Sequence, residues 1–237
     1  MIARSLRFCL VLGLAGTLAG CGGRETPTAS TGPRQVRIDW LGNQSFKISS
    51  SIGTSILTDP YVSGTNGRSL PSPLKPDIVL VSHERSDANN IDAVDNQPAI
   101  FRGSVAMGIN NSSGIRIRGV PTFRDPGQQA VEGMNIVFAW TMDGMRFCFL
   151  GSLVGPLTPD QISEIGTVDV LFVPVGGSLS PESRETVLAQ LRPRLVIPMG
   201  RGAGGWTTGR IHSVPGRSVS LSRDILPLQT MTILFGS

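Results

Sequence analysis

Histidine is nearly missing from this chain: 237 residues hold two, His83 and His212. A centre built from several imidazoles is therefore excluded, since catalytic zinc takes three protein ligands and histidine is commonly among them. Cysteine is almost as scarce, at three residues. Cys9 is expected to be removed with an N-terminal segment and Cys21 to be acylated, so Cys148 is left alone and no disulfide can form within the mature chain. Cys148 falls in a strand-like apolar run and reads as a small buried hydrophobe rather than a nucleophile. Charge is weak too: 21 Lys and Arg against 17 Asp and Glu, net +4. No basic cluster with interleaved aromatics appears, which excludes nucleic acid as an expected partner. Gly-x-Ser-x-Gly is absent around Ser152, so there is no nucleophile elbow. Gly200-Arg201-Gly202-Ala203-Gly204-Gly205 matches a dinucleotide fingerprint in letters only, because no helix pattern follows it.

What is present begins with a targeting pattern. Arg4 and Arg7 precede an apolar run from Phe8 to Leu18, shorter than the roughly 20 residues of a spanning helix. Leu18-Ala19-Gly20-Cys21 then matches a bacterial lipobox. The expectation is a signal peptide over 1–20, an acylated Cys21 with a flexible Gly, Pro, Ser and Thr tether over 21–34, and one domain over 35–237. The protein would then sit in the bacterial cell envelope, outside the cytoplasm, held to a membrane by lipid at Cys21.

Within the domain, period-2 and short apolar runs predict strands over 36–40, 45–49, 54–58, 78–81, 99–101, 104–107, 114–120, 134–142, 145–150, 168–175 and 195–199. Two edge strands are predicted over 218–221 and 231–235. Hairpin turns are expected at 50–53 and at Asp143-Gly144. Thr158-Pro159-Asp160-Gln161 reads as a capping box opening a helix, and Ser180-Pro181 opens a second one running to about 191. Helices between buried strands imply an α/β layered fold.

The chain's sharpest motif follows the apolar run at 78–81: His83-Glu84-Arg85-Ser86-Asp87-Ala88. It resembles the metallo-β-lactamase superfamily signature His-x-His-x-Asp-His. Trp40-Leu41-Gly42-Asn43-Gln44-Ser45-Phe46 resembles the family's Leu-Gly-His-x-x-Phe, and Ile56-Leu57-Thr58-Asp59-Pro60 its Leu-x-Asp-Pro turn. Phe149-Leu150-Gly151-Ser152 resembles the segment that reads His-x-Gly-Asp. Val168-Asp169-Val170 through Pro174-Val175-Gly176-Gly177 matches the Asp-Val run, and Pro198-Met199-Gly200 the strand ending in Met-His. The branch it looks most like is the ascorbate-6-phosphate-lactonase-like group of zinc hydrolases. The resemblance implies a four-layer αβ/βα sandwich of two mixed β-sheets.

Carried over position by position, the family's ligands are mostly replaced. His83 and Asp87 keep the family residue, in positions that serve different metals. Arg85, Ala88, Phe149, Ser152 and Gly200 do not, and Arg124 stands near another histidine position. His83 and Asp87 are thus vestigial catalytic candidates. Arg85, Arg124, Ser152, Asn43 and Asp59 are candidate ligand-binding residues, the arginines suiting carboxylate or phosphate. The expectation is a non-catalytic protein without cofactor, binding a small anionic ligand or an envelope protein. The alternative is a hydrolase of the superfamily acting through an altered or metal-free site, with zinc if it follows its relatives. A structural envelope component is a third, weaker reading.

Overall fold

The computed structural model describes residues 34–123, 133–177 and 179–236. The expected signal segment over 1–20, the expected tether up to residue 33 with Cys21, and Arg124 lie outside these residues.

The first sheet opens with β1 (Gln35–Gly42) and β2 (Ser45–Ser49), an antiparallel hairpin with Ile38 opposite Ile48. β3 (Ser55–Thr58) pairs with β2 across the expected turn, which closes through Ser50 N–H to the Thr54 carbonyl at 2.8 Å. β4 (Ile78–Leu80) and β5 (Ala99–Phe101) add in parallel. Unbroken Ile, Val and Leu suit β4 because both of its faces are covered.

The second sheet takes β6 (Gly108–Ser112), β7 (Ile115–Phe123), β8 (Met134–Met142) and β9 (Met145–Phe149) as an antiparallel run. Asp143 and Gly144 both take positive φ in the β8–β9 turn, as a type I′ hairpin requires. α1 (Pro159–Ile165), β10 (Val170–Pro174), α2 (Pro181–Leu191) and β11 (Leu195–Met199) follow, with β9, β10 and β11 parallel. β12 (Arg210–Val214), β13 (Ser218–Ser222) and β14 (Met231–Phe235) complete the chain. The orders are β13-β1-β2-β3-β4-β5 and β12-β14-β11-β10-β9-β8-β7-β6. No helix among the described residues is long and apolar enough to cross a membrane.

The two mixed sheets pack face to face around one core. Phe46, Phe138, Phe147, Phe149 and Phe172 meet there with Ile38, Ile48, Ile56, Ile78 and Ile197. α1 and α2 cover the outer face of the second sheet through Ile165, Val187 and Leu191. The outer face of the first sheet is covered by loop residues Leu70, Leu74, Ile91 and Val94 rather than by an α-helix. The expected αβ/βα sandwich is present in this form.

Two local expectations are corrected, and two strands are added. The segment over 104–107 belongs to a 3₁₀ turn, Gly103–Ala106, flanked by glycines of positive φ at 103 and 108. β6 went unread because Asn, Ser and Gly mark it as punctuation. β12 went unread because it is almost wholly exposed and carries no burial pattern. β12 therefore takes the sheet edge, and β14, expected there, lies inside between β12 and β11.

Candidate functional site

The carboxyl-terminal ends of β3 and β4 in one sheet, and of β9, β10 and β11 in the other, open at the same edge. Loops at such strand ends are where α/β folds place ligands. Asp59 follows β3 and ties the two strand exits of the first sheet together. Its N–H donates to the Leu80 carbonyl at 2.9 Å, and its carboxylate accepts from Ser82 N at 2.7 Å and Ser82 Oγ at 2.6 Å. Asp59 is fully buried, so it braces the loop and does not face a ligand. Burial raises its carboxyl to about 6, against the lowering pull of His83 and the two Ser82 hydrogen bonds.

The hydrogen-bond chain continues outward. Ser82 Oγ lies 2.9 Å from His83 Nδ1, and His83 Nε2 lies 3.2 Å from Asp87 Oδ1. Because the Ser82 hydroxyl donates to Asp59, it accepts from His83 Nδ1–H. Nε2 then faces Asp87 and Arg85 Nη2, the latter 3.4 Å away. A proton on Nε2 donates to Asp87, whereas a lone pair there accepts from Arg85. Arg85 Nη2 also donates to Asp87 Oδ2 at 3.0 Å. The His83 hydrogen bond, helped by its charge and by Arg85, holds Asp87 at about 2 against the opposing effect of burial. The His83 side chain is 1% exposed and that of Asp87 39%, so Asp87 presents to solvent while His83 stands behind it. Glu84 holds the far side of the loop through Arg102 Nε at 2.9 Å.

The opposite wall hangs on Asn135 of β8, which sequence reading passed over. Its Nδ2 donates to Thr122 Oγ1 at 2.9 Å and to the Leu150 carbonyl at 3.0 Å, and its Oδ1 accepts Ser152 N–H at 2.7 Å. Ile136 N–H donates to the Ser82 carbonyl at 2.8 Å, which joins the two sheets at the site. Between Leu150 and Ser152 the chain must pass close by. Gly151 has φ +58°, and a Cβ there would lie 2.4 Å from both Asn135 Oδ1 and Ser82 Cβ. A buried Asn inside a strand was the available sequence signal, because such a side chain needs partners.

Between these walls lies a cleft of about 240 Å³ lined by Asn43, Arg85, Asp87, Ser152, Gly200 and Arg201, among others. Of the residues read as ligand-binding, the fold thus brings Asn43, Arg85 and Ser152 together and adds Arg201. It leaves Asp59 beneath the loop, and Arg124 lies outside the described residues. Phe149, a family ligand position, points away from the cleft into the core and packs 5.9 Å from Phe172 between ring centroids. Ala88 is buried as well. His212 sits on β12, exposed and remote in the strand order. Cys148 is buried, and burial pushes its thiol up, as expected of an inert cysteine.

Residues 37–200 match the family model described as a β-lactamase superfamily domain. This chain belongs to the metallo-β-lactamase superfamily. A protein of Archaeoglobus fulgidus named a UPF0173 metal-dependent hydrolase is 26% identical over 193 residues, covering 69% of this chain and 82% of the relative. A Methanobrevibacter smithii protein of the same name is 28% identical, covering 69% and 81%. A Thermotoga maritima structure, named as a Zn-dependent hydrolase of the superfamily, superposes with a TM-score of 0.68. It shares 27% identity, covering 85% of this chain and all of that one.

These relatives correct the expectation of a protein without cofactor: metallo-β-lactamase superfamily membership implies a metal, zinc by the name of the Thermotoga protein. The donors in hand do not fit a three-ligand zinc site. Among the described residues no group of three or more His, Cys, Asp or Glu converges, and the pair His83–Asp87 is already bridged by the Arg85 guanidinium.

Proposed function

We propose that this chain is a superfamily hydrolase working through an altered site, on an anionic substrate held in the cleft between Arg85 and Arg201. The observation that carries this is the cleft itself. It occupies the loop edge where all five strand ends converge, and two arginines line it against a single acid, Asp87, which Arg85 already neutralises. A guanidinium anchored on one edge keeps other N–H groups for a carboxylate or phosphate. The hydrolase names of the relatives support the reaction class.

The test is turnover of a panel of phosphate esters, sulfate esters and lactones by the full chain after incubation with zinc. The expected result is hydrolysis above the blank, lost in Arg85→Ala and Asp87→Asn. A second reading, a non-catalytic binding protein, has its own observation: Asp87, held at about 2, is too weak a base at neutral pH, and His83 is screened behind it. Anion-induced thermal stabilisation without turnover of any panel member selects that reading.

We also propose a lipid anchor at Cys21 that places the domain in the cell envelope, supported by the Leu18-Ala19-Gly20-Cys21 run. Incorporation of labelled palmitate that Cys21→Ala abolishes is the expected outcome.

A further inference from the structure

A larger cavity, about 360 Å³, adjoins the cleft and shares Asn43, Asn66, Gly200 and Arg201 with it. Its remaining walls are unlike those of the cleft. Trp40, Pro198, Leu234 and Phe235 supply apolar surface, and Arg68 supplies charge. Trp40 and Phe235 stack with centroids 6.4 Å apart and planes 25° apart. The Arg68 guanidinium lies over the Trp40 ring, 4.8 Å from its centroid.

This arrangement is built into the backbone. Gly42 has φ +110°, and a Cβ there would lie 2.7 Å from Tyr61 Oη and 3.0 Å from Arg68 Cδ, so glycine is what lets Arg68 lie against β1. Asn43 spaces the two chambers: Asn66 Nδ2 donates to its Oδ1 at 2.8 Å, and its carbonyl accepts from Trp40 Nε1 at 3.2 Å and from Gly200 N–H at 3.0 Å. The cavity lining contains no acid, and neither Arg68 nor Arg201 has a carboxylate partner among the described residues. A guanidinium stacked on an aromatic face keeps its in-plane N–H edge for an anion.

From this we propose that the annex and the cleft form one bipartite site for an organic anion with a flat apolar group, the anionic head between Arg85 and Arg201 and the apolar body against Trp40, Leu234 and Phe235. The proposal rests on the anion-cleft reading above and names its substrate class. A free inorganic anion would leave the apolar walls wet, and a neutral aromatic would leave Arg68 and Arg201 without a counter-charge.

The test compares phenylphosphonate with methylphosphonate on the full chain by calorimetry. Both carry the same head group, and neither has an ester bond to hydrolyse. Phenylphosphonate binds about ten-fold tighter, the order of effect expected from seating one ring among aromatic side chains. Trp40→Ala brings the ratio towards one. Ala203→Phe, which fills the annex from its rim and leaves the Trp40–Phe235 contact in place, does the same and carries the test if the tryptophan variant melts without cooperativity. Equal affinity for the two phosphonates, with both lost in Arg85→Ala, overturns the annex and leaves the cleft reading standing. A ten-fold preference lost in Ala203→Phe but indifferent to Arg85→Ala keeps the annex and removes the cleft from its ligand. Binding of neither phosphonate overturns the bipartite site.

Discussion

At the scale of single residues, the two aspartates around His83 are pushed in opposite directions by one hydrogen-bond chain. Asp59 is raised from 3.8 to about 6 because it is buried, even with Ser82 donating twice to it and His83 close by. A carboxyl that holds its proton more tightly when folded adds stability below the unfolded value, and that stability is lost as pH rises through the folded one. Asp59 therefore stabilises below about pH 4 and loses that contribution between about 4 and 6, by on the order of 3 kcal/mol. Asp87 is lowered from 3.8 to about 2, chiefly by the His83 hydrogen bond. Its contribution is present above about pH 4 and is lost as pH falls towards 2. Melting temperatures measured from pH 2 to 7 are expected to show both limbs. Asp59→Asn flattens the one between 4 and 6, and Asp87→Asn flattens the one below 4. A limb between 4 and 6 that survives in Asp59→Asn assigns it to another group.

The same residues show what could be read from the sequence and what could not. The His83-to-Ala88 motif located the site, because an unbroken apolar strand followed at once by charged residues marks a strand end. Asp59 was placed among the ligand-binding residues because Leu-x-Asp-Pro carries no information on which way the carboxylate turns. The structure turns it inward to the Ser82 amide and hydroxyl. Asn135 gave a weaker signal, one polar residue in an apolar strand, and its partners lie 13 to 17 residues away along the chain.

At the scale of elements, the site depends on the β8 start and the β9 exit being held together, and Asn135 does this with three hydrogen bonds. Asn135→Ala leaves the Ser152 amide, the Leu150 carbonyl and the Thr122 hydroxyl short of partners in a buried place. The expected loss is about 2–4 kcal/mol, read from urea unfolding. Anion binding should weaken as well, since Ser152 lines the cleft. A change under 1 kcal/mol would show that water replaces the amide. Helix α1 gives a smaller effect: Thr158 Oγ1 accepts the Gln161 amide while Gln161 Oε1 accepts the Thr158 amide. Thr158→Ala is expected to cost about 1 kcal/mol and leave anion binding unchanged, since α1 packs behind the second sheet. Helix starts were legible because capping is local chemistry. The edge strands β6 and β12 were not, because an edge strand owes its pairing to the neighbouring strand rather than to a burial pattern of its own.

At the scale of the whole molecule, the lost ligand types are tied to how the two sheets close. Phe149 ends β9 on its core face, where Phe172 stands 5.9 Å away and in turn lies 4.8 Å from Phe46 of the first sheet, centroid to centroid. That aromatic contact is part of the seam between the sheets, so restoring the family's histidine there alters the seam before it alters the cleft. Phe149→His removes apolar volume from a fully buried position and leaves ring nitrogens without a partner. A loss of about 2–5 kcal/mol is expected, from the cavity and the unpaired polar group together. Zinc bound per chain, measured by elemental analysis after dialysis, should equal that of the parent chain, because the new imidazole faces Phe172 and not Asp87. A gain of one equivalent of zinc in Phe149→His would instead mean that β9 rotates its terminal side chain into the cleft when the ring is replaced. The placement of Phe149 in the intersheet core would then depend on the phenyl group itself rather than on the register of β9 with β10.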